Sequence, residues 1–213
     1  MENLDSNIFF INNDMWWSKE DIPAYDYLKK DNKDMVDKYK PYLRSNDVVV
    51  QAGAHCGFVI RELKQYFKRI YTFEPCASMF LAMCMNNPES NIYKFNACLG
   101  NEHKLVNMAD WEGQGKGASH VQGIGSVPML MIDDLNLDKC DLIELDLEGY
   151  EYYALLGAVK TIEKFKPLLC IECHWSDIRY GITQAKLEEF LKSFGYIYVA
   201  NSGTDDRLYQ YKV

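Results

Sequence analysis

From residue 47 onward the chain alternates between short β-branched runs and stretches with apolar residues at helical spacing, which restricts the fold more than any other feature. "DVVVQAG" reads as a strand, "GFVIRELKQYF" as a helix, "RIYTFEP" as a strand stopped by Pro75, and "ASMFLAMCMNN" as a helix. "IYKFNACLG" is a third strand. After a glycine-rich interval, "SVPMLMIDDL" and "CDLIELDLEG" supply two more, and "YEYYALLGAVKTIEKF" a helix. "PLLCIECHW" is again a strand, "QAKLEEFLKSF" a helix, and "YIYVANSGTDDRLYQYKV" two strands around a turn. Strands alternating with helices imply an α/β fold, a mostly parallel sheet with helices on both faces. The last two strands, joined by "NSGTDD", close it as an antiparallel hairpin. Residues 1–45 carry a helical period in "AYDYLKKDNKDMVDKYKPYL", ended by Pro41, and read as an N-terminal helical extension to a domain spanning 46–213.

Parallel strands covered on both faces should be almost wholly apolar. The exceptions here gather at the strands' carboxyl ends, where open parallel sheets bind ligands. The first strand ends in "QAGAHCG", the second in Glu74, the third in Asn96 and Ala97, the next in Asp146 and Glu148, and the last parallel strand in Glu172 and His174. "LIELDL" also places Glu144 and Asp146 on one face of a strand that should be central, and buried charge demands a partner or a task.

Charge and cysteine usage exclude several classes. The net charge of −8 disfavours a partner defined by phosphates, so no nucleic acid is expected. No run of apolar residues is long enough to span a bilayer, and the acidic N-terminus lacks the basic start of a secretory signal. Seven cysteines is an odd number, and most sit in apolar runs, as in a reducing, cytoplasmic protein. Cys170-Ile171-Glu172-Cys173-His174 matches a haem-attachment pattern. As a strand, however, it points Cys170, Glu172 and His174 to one face and Cys173 to the other, so the thiols diverge. The same divergence disfavours zinc.

Two of the strand tips suggest a nucleoside pocket. Gly53 and Gly57 allow a tight turn into the next helix, and Glu74 stands 21 residues beyond Gly53, placed to accept from both ribose hydroxyls. Gln51 stands where a three-glycine dinucleotide loop would begin, so a pyrophosphate has less room. The sole Tyr-x-x-x-Lys spacing of reductase type, Tyr25 to Lys29, precedes the cofactor strands. S-Adenosylmethionine suits the tighter turn. A nicotinamide-dependent oxidoreductase remains the weaker alternative.

"VVVQAGAHCGFVIREL", "YTFEPCASMFLAMCMNN", "NACLG", "VPMLMIDDL", "CDLIELDLEGYEYYALLGA" and "KPLLCIECHW" resemble, in order, the FkbM-type S-adenosylmethionine-dependent methyltransferases of bacteria, phages and large DNA viruses. The resemblance covers roughly residues 46–200 and is most specific at Asp146-x-Glu148-Gly149-x-Glu151. It implies a Rossmann-like methyltransferase fold with a mostly parallel seven-stranded sheet, and O-methylation of a sugar, glycan or small molecule. It implies cofactor contacts at Gln51, Ala52, Gly53, Ala54, Gly57, Glu74, Pro75, Ser78, Asn96, Ala97 and Asp146, and a reaction end at Asp146, Glu172 and His174. Gln51 departs from the family's usual acid, and Glu144 from its usual lysine; pairing with Lys116 is one way to accommodate Glu144.

A hydroxyl acceptor needs a base. His174 is the first candidate, with Glu172 or Asp146 holding its tautomer. Alternatively Asp146, Glu172 and His174 ligate Mg2+ or Mn2+. Glu148 and Glu151 can cap the following helix. The interval with five glycines between residues 113 and 125 reads as a mobile lid or a surface loop, with Trp111, Lys116 and His120 as acceptor contacts. The N-terminal "MWW" can cover the acceptor pocket or pack on the core. A binding or virion-associated protein that keeps the fold without turnover is the alternative of another class.

Overall fold

A computed structural model describes residues 7–31, 33–111, 115–174 and 176–212. Its central sheet is built from β3 (Val48–Ala52), β4 (Arg69–Phe73), β5 (Ile92–Phe95), β10 (Leu142–Leu145), β11 (Leu168–Glu172), β12 (Tyr196–Asn201) and β13 (Asp206–Tyr211), in the order β12-β13-β11-β10-β3-β4-β5. The sheet is mixed: five strands from β11 to β5 run parallel, and β13 is antiparallel to both its neighbours. Every residue of β3 and β10 is buried. Alternation splits β3 between two cores: Val48, Val50 and Ala52 face one, Val49 the other. Each fully buried valine contributes about 1.5–3 kcal/mol, so β3 is a rigid base for the turn that follows it. Successive strands run outward from β3 through β4 and β5, whereas β10 and β11 lie on its other side. The chain order therefore reverses between β3 and β10, and a crevice opens above that point.

Helices α3 (Phe58–Leu63), α4 (Ala77–Asn86), α5 (Glu151–Leu156), α6 (Val159–Phe165), α7 (Ser176–Arg179) and α8 (Gln184–Ser193) follow the strands. Cys170 packs in one core and Cys173 against the other, so the two thiols diverge as the strand period requires.

Four segments differ from the sequence expectation. "IYKFNACLG" is not one strand: β5 ends at Phe95, and β6 (Cys98–Leu99) joins a second sheet. That sheet, ordered β6-β9-β7-β8, also takes β9 (Val127–Leu130), so "SVPML" leaves the central sheet. The glycine-rich interval forms strand, β7 (Lys104–Trp111) pairing antiparallel with β8 (Gly115–Ile124); residues 112–114 of the interval lie outside the described residues. Lastly, the N-terminal segment is not helical throughout. It opens with a hairpin, β1 (Ile8–Ile11) and β2 (Met15–Ser18), before α1 (Ala24–Asp31) and α2 (Met35–Tyr39). Trp17 of "MWW" is fully buried with Tyr25, Cys56, Phe58 and Met79, which seats the segment on α3 and α4.

Candidate active site

The turn after β3 is set by Gly53 at φ +89°. Gly53 and Ala54 both donate to Phe73 O, at 3.1 and 3.2 Å, and Asp146 N donates to Ala52 O at 3.1 Å. A Cβ on Gly53 would meet Asp146 O at 2.0 Å, so glycine is required for the β3 and β10 tips to touch. One strand over, Glu74 is buried, and its two carboxylate oxygens accept separately from His55 N at 2.8 Å and Cys76 N at 2.7 Å. Burial pushes its carboxyl up to about 7 against those two bonds.

Above these tips lies a cavity of about 540 Å³. Gly53, Ala54, Glu74, Pro75, Ala97, Asp146, Glu172 and His174 all line it, so the structure brings together eight of the residues singled out from the sequence. Five others shape it from behind. Gln51 is fully buried and accepts from Thr72 Oγ1 at 2.6 Å, so its departure from the family's acid lies beneath the cavity wall. Ala52 lies within β3, Gly57 starts α3, and Ser78 Oγ bonds Ser18 Oγ at 2.9 Å and the Glu20 carboxylate. Asn96 Nδ2 donates to Glu74 O and Pro75 O, at 2.8 and 3.0 Å, fixing that backbone.

At the other end, Asp146, Glu148 and Glu172 form a tight carboxylate group, with one oxygen from each lying within 4.8 Å of the others. Asp146, whose side chain is open at the cavity surface, is raised well above the usual range by desolvation within the crevice and then by the Glu172 and Glu148 charges. Burial followed by the Glu151 and Glu148 charges pushes Glu172 up to about 9. Glu148 takes a left-handed φ of +56° that turns its side chain inward. Arg179 Nη1 donates to its main-chain O at 2.7 Å and to Oε2 at 2.8 Å. The guanidinium also lies 4.4 Å over the Trp111 ring, tying β7 to the site. Glu151 closes the turn ahead of α5 and does not cap the helix as expected: its Oε1 accepts from Leu147 N and Gly149 N, both before the first helical residue.

His174 is exposed at the rim, and its Nδ1 lies 3.1 Å from Asp205 Oδ2. Among the described residues it stands outside the group of oxygens that Glu148 joins. The pairing of Lys116 with Glu144 does not form; Lys116 Nζ instead meets Asp110 Oδ2 at 2.7 Å. Glu144 lines the cavity at 7% exposure, and its Oε2 has no hydrogen-bond partner among the described residues. Burial, then the Asp206 charge, pushes it up to about 8.

The sequence reading missed Asp21 and His55. Their side chains meet at 2.8 Å in the cavity wall, and Asp21 Oδ2 also accepts from Gly117 N at 3.0 Å. No local pattern carries that contact, which joins three segments distant in sequence.

A profile of the methyltransferase FkbM domain matches residues 47–198. Among solved structures, the fold is similar to a methyltransferase FkbM from Methylobacillus flagellatus, with a TM-score of 0.54, 19% identity, and coverage of 89% of this chain and 58% of that one. A precorrin-6y C5,15-methyltransferase from Geobacter metallireducens aligns with a TM-score of 0.51 and 13% identity over 94% of this chain and 95% of its own. The chain thus spans little more than half of the Methylobacillus protein. Among curated protein sequences none is significantly similar. Among the described residues no helix is long and apolar enough to cross a membrane.

Proposed function

The chain belongs to the methyltransferase FkbM domain family, and from that premise we propose that it moves a methyl group from S-adenosylmethionine to a hydroxyl of a small molecule or glycan. The observation that carries this is the convergence, on one cavity, of Gly53, Glu74, Asp146, Glu172 and His174 from the ends of four neighbouring strands.

The cavity fits such a cofactor on two counts. Its volume falls in the range of small-molecule sites, roughly 300–1,000 Å³. Each Glu74 oxygen is oriented by one amide and keeps a second lone pair for a ribose hydroxyl. In this proposal Gly53, Ala54, Pro75 and Ala97 border the cofactor. When bound, S-adenosylmethionine supplies an electrophilic methyl group on a sulfonium. The chain's task is then to hold an acceptor hydroxyl in line and take its proton. Alignment is worth about 7–11 kcal/mol and a positioned base about 10²–10⁴-fold. We assign the proton to His174, held through Nδ1 by Asp205, and orientation of the hydroxyl to Asp146 and Glu172. The acidic lining and the net charge of −8 argue for an acceptor without phosphates, so nucleic acid is not expected. Seven free thiols suit a cytoplasmic setting. The division into residues 1–45 and 46–213 is kept as part of the proposal.

Calorimetry with S-adenosylhomocysteine tests the pocket: binding is expected, and Glu74→Ala should weaken it by about 1.5–3 kcal/mol, the scale of hydrogen bonds to a charged group. No heat with that ligand, but heat with a nicotinamide dinucleotide, would move the assignment to an oxidoreductase. The exposure of His174 at the rim favours a second reading, a binding protein without turnover. Incubation with cofactor and candidate glycans separates the two: a mass gain of one methyl supports transfer, and persistent absence supports the binding protein.

A further inference from the structure

We infer that Asp146, Glu148 and Glu172 bind a divalent hard cation, Mg2+ or Mn2+, where the tips of β10 and β11 meet. Their carboxylate oxygens lie within 4.8 Å of one another and all three residues line the cavity. Oxygen-only donors suit hard cations, and three carboxylates leave coordination positions for water or an acceptor oxygen.

A second observation is independent of that cluster. Glu144 enters the same cavity from two residues earlier in β10, is more than nine-tenths buried, and has an oxygen with no partner among the described residues. An unpaired buried carboxylate is costly unless positive charge compensates it. Four carboxylates, Glu144, Asp146, Glu148 and Glu172, therefore line one cavity. The guanidinium of Arg179 is spent on Glu148 Oε2, leaving that residue's other oxygen for an ion. Glu148, which the sequence places at the strand tip without a ligand role, takes the place given there to His174. Its inward turn at φ +56° is what closes the group.

The cation site shares Asp146 and Glu172 with the proposed reaction end, but ion binding is read without turnover, so the two can fail separately. Full-length protein is titrated with Mn2+ and followed by electron paramagnetic resonance, with Mg2+ as competitor, with and without S-adenosylhomocysteine. One Mn2+ per chain is expected, displaced by Mg2+. Asp146→Asn and Glu172→Gln should each weaken it at least about tenfold, the scale on which metal sites respond to lost carboxylate support. Glu89→Gln, a surface acid paired with Lys64, should leave it unchanged. Melting temperature reports whether each variant is folded. If Asp146→Asn fails to fold, Glu172→Gln alone carries the test. No bound Mn2+ with ion on the order of millimolar would overturn the inference in favour of carboxyls neutralised by protons. Binding that survives the ligand substitutions would place the ion elsewhere and overturn it equally. Mn2+ binding without S-adenosylhomocysteine binding would instead sink the methyl-transfer proposal and leave this one standing.

Discussion

Replacing Gly53 by alanine isolates the contact on which the crevice depends. Gly53 and Gly181 both hold positive φ, +89° and +66°, yet their surroundings differ. A Cβ at Gly53 would sit 2.0 Å from Asp146 O and 3.0 Å from its carbonyl carbon, whereas at Gly181 it would meet nothing within 4 Å. Both substitutions incur the left-handed penalty of an L-residue, about 1–2 kcal/mol, and both regain about 0.4–1 kcal/mol from a stiffer unfolded chain. Those terms largely cancel between the two sites. What remains is the clash with backbone at Gly53, which cannot be relieved by rotating a side chain. Overpacking of this kind costs about 1–3 kcal/mol. Gly181→Ala should therefore lose about 1 kcal/mol, and Gly53→Ala about 2–4 kcal/mol. Urea denaturation at constant slope measures both, and calorimetry with S-adenosylhomocysteine should show binding lost only in Gly53→Ala. Equal destabilisation of the two variants would refute the claim that the β3 and β10 tips are in backbone contact.

Two further predictions concern the segments that wall the site. Burial opposes ionisation of Asp14, but hydrogen bonds from Lys29, Tyr25 and Arg61 outweigh it and hold the carboxyl at about 2. The depressed value stabilises the fold above the unfolded carboxyl's range and is lost as pH falls towards 2. Asp14→Asn should thus cost about 1 kcal/mol at neutral pH after solvent screening, and almost nothing near pH 2, in urea melts at both pH values. Arg179 is 4% exposed in its side chain and bonded to a largely buried Glu148. Arg179→Met should cost about 3–5 kcal/mol through the orphaned carboxylate, with a shift in tryptophan fluorescence as Trp111 loses its covering guanidinium.

How far the sequence reveals this arrangement depends on the kind of contact. The central strands are legible because β3, β10 and β11 must be apolar on both faces, and few other segments of this chain are. The β7–β8 hairpin is not, because its glycines contradict strand propensity. The reason appears only in three dimensions: a Cβ at Gly117 would lie 2.7 Å from Asp21 Oδ2, so the strand is stripped of side chains where the N-terminal segment enters. The N-terminal hairpin did leave a signal. Asn12 and Asn13 both hold positive φ, and paired asparagines between "IFFI" and "MWW" are the residues that tolerate such a turn.

The reaction end shows where periodicity stops being a guide. Alternation along β10 correctly puts Glu144 and Asp146 on one face, since strand geometry persists to Leu145. Beyond it the chain leaves the strand, and the direction of Glu148 is set by a left-handed turn before Gly149, at φ +56° and +100°. A non-glycine residue stays in that conformation only if its surroundings hold it. Here the clamp is Arg179, 31 residues later, bonded to both the backbone and the side chain of Glu148. The third carboxylate is thus delivered by a long-range bond acting on a strained turn, which neither the period of β10 nor the spacing of its acids contains.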